Sequence, residues 1–436
     1  MMEQESILIV TDRSNYFSFL GKELEKFCNV YYIAVWKKDE ILLKEKGIPY
    51  ISRDNLMKSS TPAPTNGILN NEEMKETLFC DLQYDALYNN GNLQDSIFIE
   101  GLNYADNIDK IMQTNKIDLV IVQNDSWNYA SIPVAVARKN NIKTLIFEDG
   151  FFRPDTIVLD RKGVNKNNSC PREKTFYENI SINKGKYDTF IQKENIKGSG
   201  PLVDLFSGVK ISNVAGKLFN FFRHPRKALR VIPLTVNLIG FFNSKRDFIL
   251  LPLQVRSDSQ IICHSPLKDM DDFVDICLAS VEIYNRKYNK HLSVVIKEHP
   301  KDPQMDLLRR TRKKHNHVKN YYLTKANTRR LIEKCMAIIT INSTIGIEGL
   351  LNYKPVITLG QAFYNIEGIV HHCADPAKLD NVINIAINAP TDRKLTDKFL
   401  YYLKFDYQID GDLNSPDADN IKPVIKRIRD TLDHEI

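Results

Sequence analysis

Acidic side chains follow two apolar runs of the sequence, at points where buried strands are expected to end. Glu148 and Asp149 follow KTLIF, and Asp258 stands three residues after FILLPLQV. In an open α/β sheet, ligands bind just beyond the carboxyl ends of strands. One carboxylate that attacks and another that handles a proton suit glycosyl transfer. A single acid at such a place is more simply a helix N-cap, but three acids at equivalent strand ends weaken that interpretation.

The motif KEHP at positions 297–300 ends another expected strand. Lys297 and His299 would then point into one loop, where both can donate hydrogen bonds to a phosphate. Pro300 completes the motif. The alternative is that this His-Pro pair only ends the strand.

A strand, a polar turn and a helix are expected over TINSTIGIEGL at 340–350. The free N–H groups and the dipole of a helix N-terminus attract anions, and the hydroxyls of Ser343 and Thr344 could add donors. Either residue could also cap the helix. Glu348, one helical turn further on, could reach a ribose or be a solvated helix residue.

Three further side chains are candidates for donor binding. Arg153 and Arg256 could bind a sugar carboxylate, because a guanidinium contacts a carboxylate through two parallel hydrogen bonds. Either arginine could instead pair with a neighbouring acid. Gln254 could hold the sugar, orient Asp258 or simply point outward from its strand.

The elements that must position these residues alternate between buried strands and helices. SILIVT, NVYYIAV, KIDLVIVQ and KTLIF are expected strands, and residues 16–27, 95–115 and 131–141 are expected helices. The alternation resumes at residue 247 and continues through KPVITLG. This order predicts two Rossmann-like α/β domains in a glycosyltransferase-B-like arrangement with an inter-domain cleft.

The same pattern predicts four segments: an N-terminal acceptor-side domain at 1–204, a basic amphipathic linker at 205–246, a nucleotide-sugar-binding domain at 247–390, and a helical segment at 391–436 that packs back on the N-terminal domain. No acid lies between Asp204 and Asp247. This composition suits either an interfacial membrane helix pair or a linker packed inside the protein. Residues 52–78 are an expected mobile loop, and residues 165–200 are expected to be irregular.

The composition and net charge of the chain limit the classes of binding partner that are expected. The chain has 436 residues and a formal net charge of +6, which fits an anionic ligand or a membrane surface and is too small to indicate nucleic acid. The seven cysteines form no C-x-x-C pair, which gives no sign of a zinc cluster. Neither a signal peptide nor a transmembrane helix is expected. No metal is expected either, because no D-x-D stands beside the phosphate motif.

Taken together, these motifs resemble the bacterial capsule polysaccharide β-Kdo transferases of the KpsS type. The resemblance lies between about residues 145 and 370, on EDGFFRPD (148–155), GVN (163–165), LPLQVRSDSQI (251–261), KEHP (297–300), TINSTIGIEGL (340–350) and GQAFYNIEGI (360–369). EDG-x-x-RPD followed by PLQV-x-x-DSQI is specific, whereas the His-Pro and Ser-Thr elements occur in other sugar transferases.

The resemblance implies a CMP-Kdo donor with no other cofactor, transfer with retention, and a (lyso)phosphatidylglycerol acceptor. It also implies a cytoplasmic protein that is peripheral at the inner membrane, with capsule assembly proteins as further candidate partners. Residue by residue it carries over Asp258 as the nucleophile and Glu148, with Asp149 as second choice, as the proton-handling acid. It makes His299, Ser343 and Thr344 the nucleotide phosphate site.

Two departures from the family pattern affect the expected donor contacts. Glu298 stands where a second histidine is more common, and Glu348 stands where a small residue is common. Two other interpretations remain: a transferase that uses another nucleotide sugar or a CDP-glycerol-type donor in cell-surface polysaccharide assembly, and a non-catalytic export-linked polysaccharide-binding protein.

Overall fold

The structure, a computed structural model, describes residues 4–58, 67–197, 246–299, 307–315, 321–324, 327–389 and 391–433. The chain divides into two compact units. Unit 1 comprises Met1–Pro171 and Leu403–Ile436, and unit 2 comprises Arg172–Tyr402. Each unit has its own sheet and is described by itself.

Two of the expected domain boundaries differ from this division. Residues 172–197 belong to unit 2 rather than to the N-terminal domain, and the chain returns to unit 1 at Leu403 rather than at residue 391. The expected basic linker at 205–246 lies, apart from Arg246, outside the described residues.

Both units contain β-strands among the described residues. In chain order they are β1 (Ser6–Thr11), β2 (Asn29–Ala34), β3 (Ile51–Ser52), β4 (Leu119–Gln123), β5 (Lys143–Asp149), β6 (Thr156–Asp160), β7 (Phe248–Pro252), β8 (Ser293–Lys297), β9 (Tyr321–Thr324), β10 (Ala337–Thr340), β11 (Val356–Thr358), β12 (His371–His372) and β13 (Ile409–Asp410).

Helices connect these strands. In chain order they are α1 (Ser14–Leu24), α2 (Lys37–Glu45), α3 (Arg53–Met57), α4 (Asn71–Thr77), α5 (Phe79–Tyr88), α6 (Gln94–Thr114), α7 (Asn128–Lys139), α8 (Lys174–Glu178), α9 (Lys184–Lys197), α10 (Ser259–Ile262), α11 (Met270–Tyr288), α12 (Leu307–Lys314), α13 (Thr328–Lys334), α14 (Ile345–Leu351), α15 (Leu379–Asn388), α16 (Arg393–Tyr402) and α17 (Lys422–Asp433). No helix of the described part is long and apolar enough to cross a bilayer.

The sheet of unit 1 has the order β13-β6-β5-β4-β1-β2-β3. Strands β5, β4, β1, β2 and β3 run parallel, whereas β6 and β13 are antiparallel to their neighbours. All six residues of β1 are buried, as expected for a parallel strand that helices cover on both faces. One apolar cluster of this unit includes Ile9, Phe17, Phe147 and Val424, so α17 at the end of the chain completes the core of the first domain.

The sheet of unit 2 has the order β12-β11-β10-β7-β8-β9. Every pairing described in this sheet is parallel. Strand β7 lies between β10 and β8, and its last residue, Pro252, is in register with Lys297 at the end of β8. The expectation of two Rossmann-like α/β domains is therefore confirmed, and each unit has one edge where several parallel strands end.

Two sequence expectations about local structure are wrong. Residues 52–78 contain α3 and α4 as well as an expected loop, of which residues 59–66 lie outside the described part. Residues 165–200 contain α8 and α9 rather than irregular chain. Charged and polar residues dominate α9, so its sequence shows almost no apolar periodicity. Packing of Tyr187 and Phe190, which are both 5% exposed, holds the helix in place.

Candidate functional site

Unit 1 gathers polar side chains at the carboxyl ends of β1, β4 and β5. Asp12 and Arg13 follow β1, Asn124 follows β4, and Glu148 and Asp149 are the last two residues of β5. Strand β4 lies between β1 and β5 in the sheet. The parallel arrangement therefore brings together residues that are more than a hundred positions apart in the chain.

Glu148 is held by two hydrogen bonds, one to each carboxylate oxygen. The Asn124 side-chain amide donates to Oε2 at 2.8 Å, and the backbone N–H of Asp149 donates to Oε1 at 2.9 Å. Burial raises the pKa of Glu148, and the charge of Asp149 adds to this rise, whereas the two hydrogen bonds and the charge of Arg13 oppose it. A carboxyl group with a raised pKa in a fixed orientation is suited to accept and return a proton.

Asp149 has a different environment from its neighbour. Both of its carboxylate oxygens accept hydrogen bonds from the Arg13 guanidinium, at 2.9 Å each. Such a bidentate pair fixes the carboxylate and offsets its charge. The structure thus gives these two adjacent acids different environments, although the sequence alone does not distinguish them.

Asn124 adopts the left-handed backbone conformation, with φ of 58°. Its Oδ1 accepts a hydrogen bond from the Ser126 N–H at 2.8 Å, which leaves its amide group directed to Glu148. Asparagine is one of the few residues that enter this region readily. Sequence reasoning missed Asn124, although an Asn-Asp pair directly after a buried strand is a usable signal for such a turn.

Asp12 is a second partly buried carboxyl of this edge. Its Oδ2 accepts a hydrogen bond from the Tyr129 hydroxyl at 3.4 Å. Burial raises the pKa of Asp12, and the charge of Arg13 partly opposes this rise. Asp12 and Arg13 were also missed, because TDRSN looks like an ordinary polar start of a helix.

Arg153, a predicted donor-binding residue, lies in the loop between β5 and β6. Its side chain is exposed, and its Nε donates to the carbonyl of Gly150 at 3.2 Å. The residue therefore belongs to unit 1, as Glu148 does, while the other predicted donor-binding residues belong to unit 2.

In unit 2, Gln254 and Asn342 connect the loops that follow β7 and β10. Gln254 Nε2 donates to Asn342 Oδ1 at 3.0 Å, and its Oε1 accepts from the Asn342 N–H at 3.3 Å. Asn342 Nδ2 also donates to the carbonyls of Gln260 and His264, at 2.8 and 3.2 Å. Gln254 is 6% exposed and thus fixes the position of the loop that carries Asp258.

Asp258 is exposed and forms the N-cap of α10, where its Oδ1 accepts from the Gln260 N–H at 2.9 Å. The capping interpretation of this residue is thus confirmed, and it is compatible with a further role for the second oxygen. Arg256, in turn, lies 3.8 Å from Asp271, which also pairs with Arg310 at 3.1 Å. The neighbouring acid that the sequence offered as an alternative partner for Arg256 is therefore Asp271.

The KEHP motif begins at the last residue of β8. Lys297 is 9% exposed, and its Nζ donates to the carbonyl of Glu298 at 3.3 Å. Burial lowers the pKa of Lys297, and the charges of Glu348 and Glu298 counter that effect. His299 is partly buried, and Pro300 lies outside the described residues.

The NST turn follows β10 as expected. Ser343 Oγ accepts from the Ile345 N–H at 3.3 Å, and the carbonyl of Ser343 accepts a hydrogen bond from the Tyr364 hydroxyl. Thr344 is the N-cap of α14 and makes no side-chain capping bond. A Cβ at Gly346 would lie 2.5 Å from Tyr364 Oη, so glycine is needed for this contact. The hydrogen bond from the Tyr364 hydroxyl thereby fixes the NST turn at the start of α14.

Glu348 is exposed on α14. Its charge acts on Lys297 of β8, so the KEHP and NST motifs form one polar edge together with the loop after β7. The structure places Lys297 at the end of β8 and Ser343, Thr344 and Glu348 after β10, the two strands that flank β7 in one sheet. It connects Gln254, which follows β7, to the same edge through Asn342.

Comparison of the whole sequence with known proteins identifies the family of this chain. The family model described as "Capsule polysaccharide biosynthesis protein" matches residues 119–413. This chain belongs to that family. The matched range contains every motif on which the resemblance depends, from EDGFFRPD to GQAFYNIEGI, so the predicted family is confirmed.

Two curated relatives and one solved structure are similar to this chain. Protein FixF of Sinorhizobium fredii is 32% identical over 300 residues, which cover 68% of this chain and 62% of FixF. Capsule polysaccharide export protein KpsS of Escherichia coli is 27% identical over 264 residues, which cover 54% of this chain and 65% of KpsS. The chain thus spans less than two thirds of either relative. A solved structure of the β-Kdo 2,4 transferase of Thermosulfurimonas dismutans KpsC has a TM-score of 0.44 at 16% identity, covering 72% and 87% of the two chains.

Proposed function

We propose that this chain is a retaining β-Kdo transferase. It uses CMP-Kdo to add the first Kdo residue to a (lyso)phosphatidylglycerol acceptor during synthesis of the capsular polysaccharide linker. Its family and its EDG-x-x-RPD and PLQV-x-x-DSQI motifs support this proposal. The observation that carries it is the environment of Glu148, a carboxyl group with a raised pKa that is oriented at both oxygens at the end of a parallel strand.

Glu148, rather than Asp149, is the proton-handling group in this proposal. A general base works best when its pKa is near the operating pH, and burial moves the pKa of Glu148 in that direction. The bidentate contact with Arg13 instead stabilises the ionised form of Asp149. Asp149 therefore orients Arg13 and, through its backbone N–H, Glu148.

The reaction has two steps. In the first, a carboxylate oxygen of Asp258 attacks the anomeric carbon of Kdo, the bond to the phosphate oxygen breaks, and CMP leaves with the bonding electrons. In the second, Glu148 takes the proton of the acceptor hydroxyl, whose oxygen displaces Asp258 from the anomeric carbon. Two inversions at one carbon give net retention.

The polar edge of unit 2 supplies donor contacts. Lys297, His299, Ser343 and Thr344 are proposed to bind the phosphate of CMP and to stabilise the negative charge that develops as it leaves. The buried position of Lys297 strengthens its interaction with an anion, because charges interact more strongly where water is excluded.

The membrane surface and the cytoplasmic location remain part of the proposal. A net charge of +6 is favourable for a protein that meets an anionic lipid surface. The basic segment at 205–243, for which an interfacial role is predicted, lies outside the described residues.

The test is incubation of the purified chain with CMP-Kdo and a lysophosphatidylglycerol analogue, with the product detected by mass spectrometry. CDP-glycerol and a UDP-sugar serve as alternative donors in parallel reactions. We expect a Kdo-bearing lipid from CMP-Kdo alone. Product from CDP-glycerol or the UDP-sugar would instead favour the transferase alternative in which Asp258 only caps α10, and binding without turnover of any donor would favour a non-catalytic role.

A further inference from the structure

A buried arginine of unit 1 has no role in the proposed transfer. Arg53 is the first residue of α3, directly after β3, and it is 8% exposed. Strand β3 is parallel to β2, which is parallel to β1. Arg53 therefore lies on the same carboxyl edge of the sheet as Glu148, and it is followed by a stretch of sequence that was expected to be only a loop.

The hydrogen bonds of Arg53 are incomplete. Its Nη2 donates to Asn128 Oδ1 at 2.9 Å, whereas its Nε is buried and has no hydrogen-bond partner among the described residues. Within that part of the chain, no carboxylate lies within ion-pair distance of this guanidinium. A buried charge without an opposite partner is costly, so the site favours a ligand that brings a negative charge.

The charge of Arg53 acts on an acidic group of the described residues, Asp81. Its Oδ2 accepts from the Asn128 N–H at 2.9 Å. Burial raises the pKa of Asp81 to about 7, against the opposing effect of the Arg53 charge. Asp81 thus carries only part of a charge near neutral pH and does not fully offset the guanidinium.

An exposed aromatic ring lies beside Arg53. The guanidinium carbon is 5.6 Å from the ring centroid of Trp36, and Trp36 is 45% exposed. Trp36 also contacts Tyr129 edge to face, with 5.9 Å between ring centroids, and Tyr129 bonds Asp12. A continuous row of contacts therefore runs from the Arg53 guanidinium to the strand end that carries Arg13, the partner of Asp149.

We propose that Arg53 and Trp36 form a binding site for the anionic group of the acceptor. This inference rests on the proposed function, because it assigns the site to the acceptor. A phosphate or carboxylate would accept hydrogen bonds from the free Nε–H and from a further N–H of the guanidinium, in the bidentate geometry that arginine favours. The apolar part of a glycerol or sugar unit would lie against the exposed face of Trp36.

The chain offers its own reporter for this site. It contains two tryptophans, and the substitution Trp127→Phe leaves Trp36 as the only one. The emission of this variant is titrated at constant ionic strength with glycerol 3-phosphate, glycerate and glycerol, which carry a phosphate, a carboxylate and no charge. We expect a saturable change with at least one anion and none with glycerol. The relative affinities of the two anions identify the source of the charge.

Two further substitutions in the Trp127→Phe background complete the test. Arg53→Gln should weaken anion binding about tenfold or more, because the charge-assisted hydrogen bonds of the guanidinium are lost. Lys426→Gln removes an exposed positive charge from α17 and should leave binding unchanged. Emission that does not saturate with either anion, or equal affinity in Arg53→Gln, would overturn the inference. If Arg53→Gln does not fold, the titration of the Trp127→Phe protein still decides the question.

The titration contains no CMP-Kdo, so it separates this inference from the proposed transfer. Anion binding in a protein that does not transfer Kdo would leave the site in place and refute the proposed function. If Kdo is transferred, Arg53→Lys should raise the KM for a phosphate-bearing acceptor with little change in kcat. An unchanged KM would show that Arg53 does not bind the acceptor, and it would leave the proposed transfer reaction unaffected.

Discussion

The Arg13 guanidinium holds both carboxylate oxygens of Asp149, with two hydrogen bonds of 2.9 Å. These residues follow β1 and end β5, which lie on either side of β4. The pair therefore crosses the end of β4, next to Glu148 in the chain. Its two charges act on the pKa of Glu148 in opposite directions, the anion raising it and the cation lowering it.

Substitution of either partner should therefore move the pH profile in opposite directions. In Arg13→Gln the loss of the cation raises the pKa of Glu148, so the acid limb of kcat/KM shifts to higher pH. In Asp149→Asn the loss of the anion lowers that pKa, and the limb shifts to lower pH. The limb reports the essential base of the free enzyme and is measured from initial rates of transfer. Shifts of the same sign in both variants would show that Glu148 is not that base.

The hydrogen bond from Asn124 gives a second means of changing Glu148. Asn124→Gly keeps the left-handed backbone, which glycine adopts freely. It removes the amide N–H that donates to Glu148 Oε2, together with the oxygen that accepts from the Ser126 N–H. Because this bond lowers the pKa of Glu148, its loss should raise that pKa, shift the acid limb to higher pH and reduce kcat/KM.

Asn141→Gly provides the matched control for Asn124→Gly. Asn141 also has a positive φ, of 56°, and it is exposed. Its activity and pH profile should match those of the unsubstituted protein. Equal changes in the two glycine variants would mean that backbone effects, and not the contact with Glu148, cause the response.

Asp81 should make the stability of the protein fall as pH rises. Its folded-state pKa is about 7, above the value of 3.8 for an unperturbed side chain. Between these values the folded state retains a proton that the unfolded chain releases, so rising pH favours unfolding. The full effect is at most about 4 kcal/mol.

Urea titrations at about pH 5 and about pH 8 measure this dependence. In Asp81→Asn, the free energy of unfolding should lose a large part of the decrease between the two pH values. Glu76→Gln, which removes an exposed carboxyl from α4, should retain the decrease. A decrease of equal size in Asp81→Asn would place the responsible proton on another group.

Asn342 should be essential for the stability of unit 2. It is 5% exposed, and Asn342→Ala leaves the amide of Gln254 and two loop carbonyls without their partner. Each unsatisfied buried group costs about 1–3 kcal/mol, so the urea midpoint should fall clearly. Asn388→Ala, at the exposed end of α15, should change stability by less than about 0.5 kcal/mol. Similar midpoints for the two variants would contradict this role.

The sequence predicts the longer parallel strands of both units and the position of Glu148, because each of these strands is a short apolar run and polar residues follow it directly. It does not predict the partners that distinguish the acids. Arg13 and Asp149 are 136 positions apart, and only the strand order brings them together. The role of Asn124 depends on its left-handed backbone conformation, for which the Asn-Asp pair directly after β4 is a usable signal in the sequence.

The same limit applies to unit 2 and to the anionic subsite. Gln254 was expected to bind sugar, orient Asp258 or point outward, but its partner is Asn342, which is 88 positions away. Arg53 lies in a segment that was expected to be a loop, because the two residues of β3 are too few to recognise as a strand from sequence. Its contacts with Trp36, which follows β2, and with Asn128, which begins the helix after β4, join parts of the chain that only the fold brings together.

The most direct test of the proposed mechanism is the intact mass of the Glu148→Gln protein after addition of CMP-Kdo and acceptor. Without its base the second step should slow about 10²–10⁴-fold, so the mass should increase by one Kdo unit and remain increased. The double variant Glu148→Gln/Asp258→Ala should show no increase. An unchanged mass in Glu148→Gln while CMP is released, or an adduct that persists in the double variant, would contradict attack by Asp258 and proton transfer to Glu148.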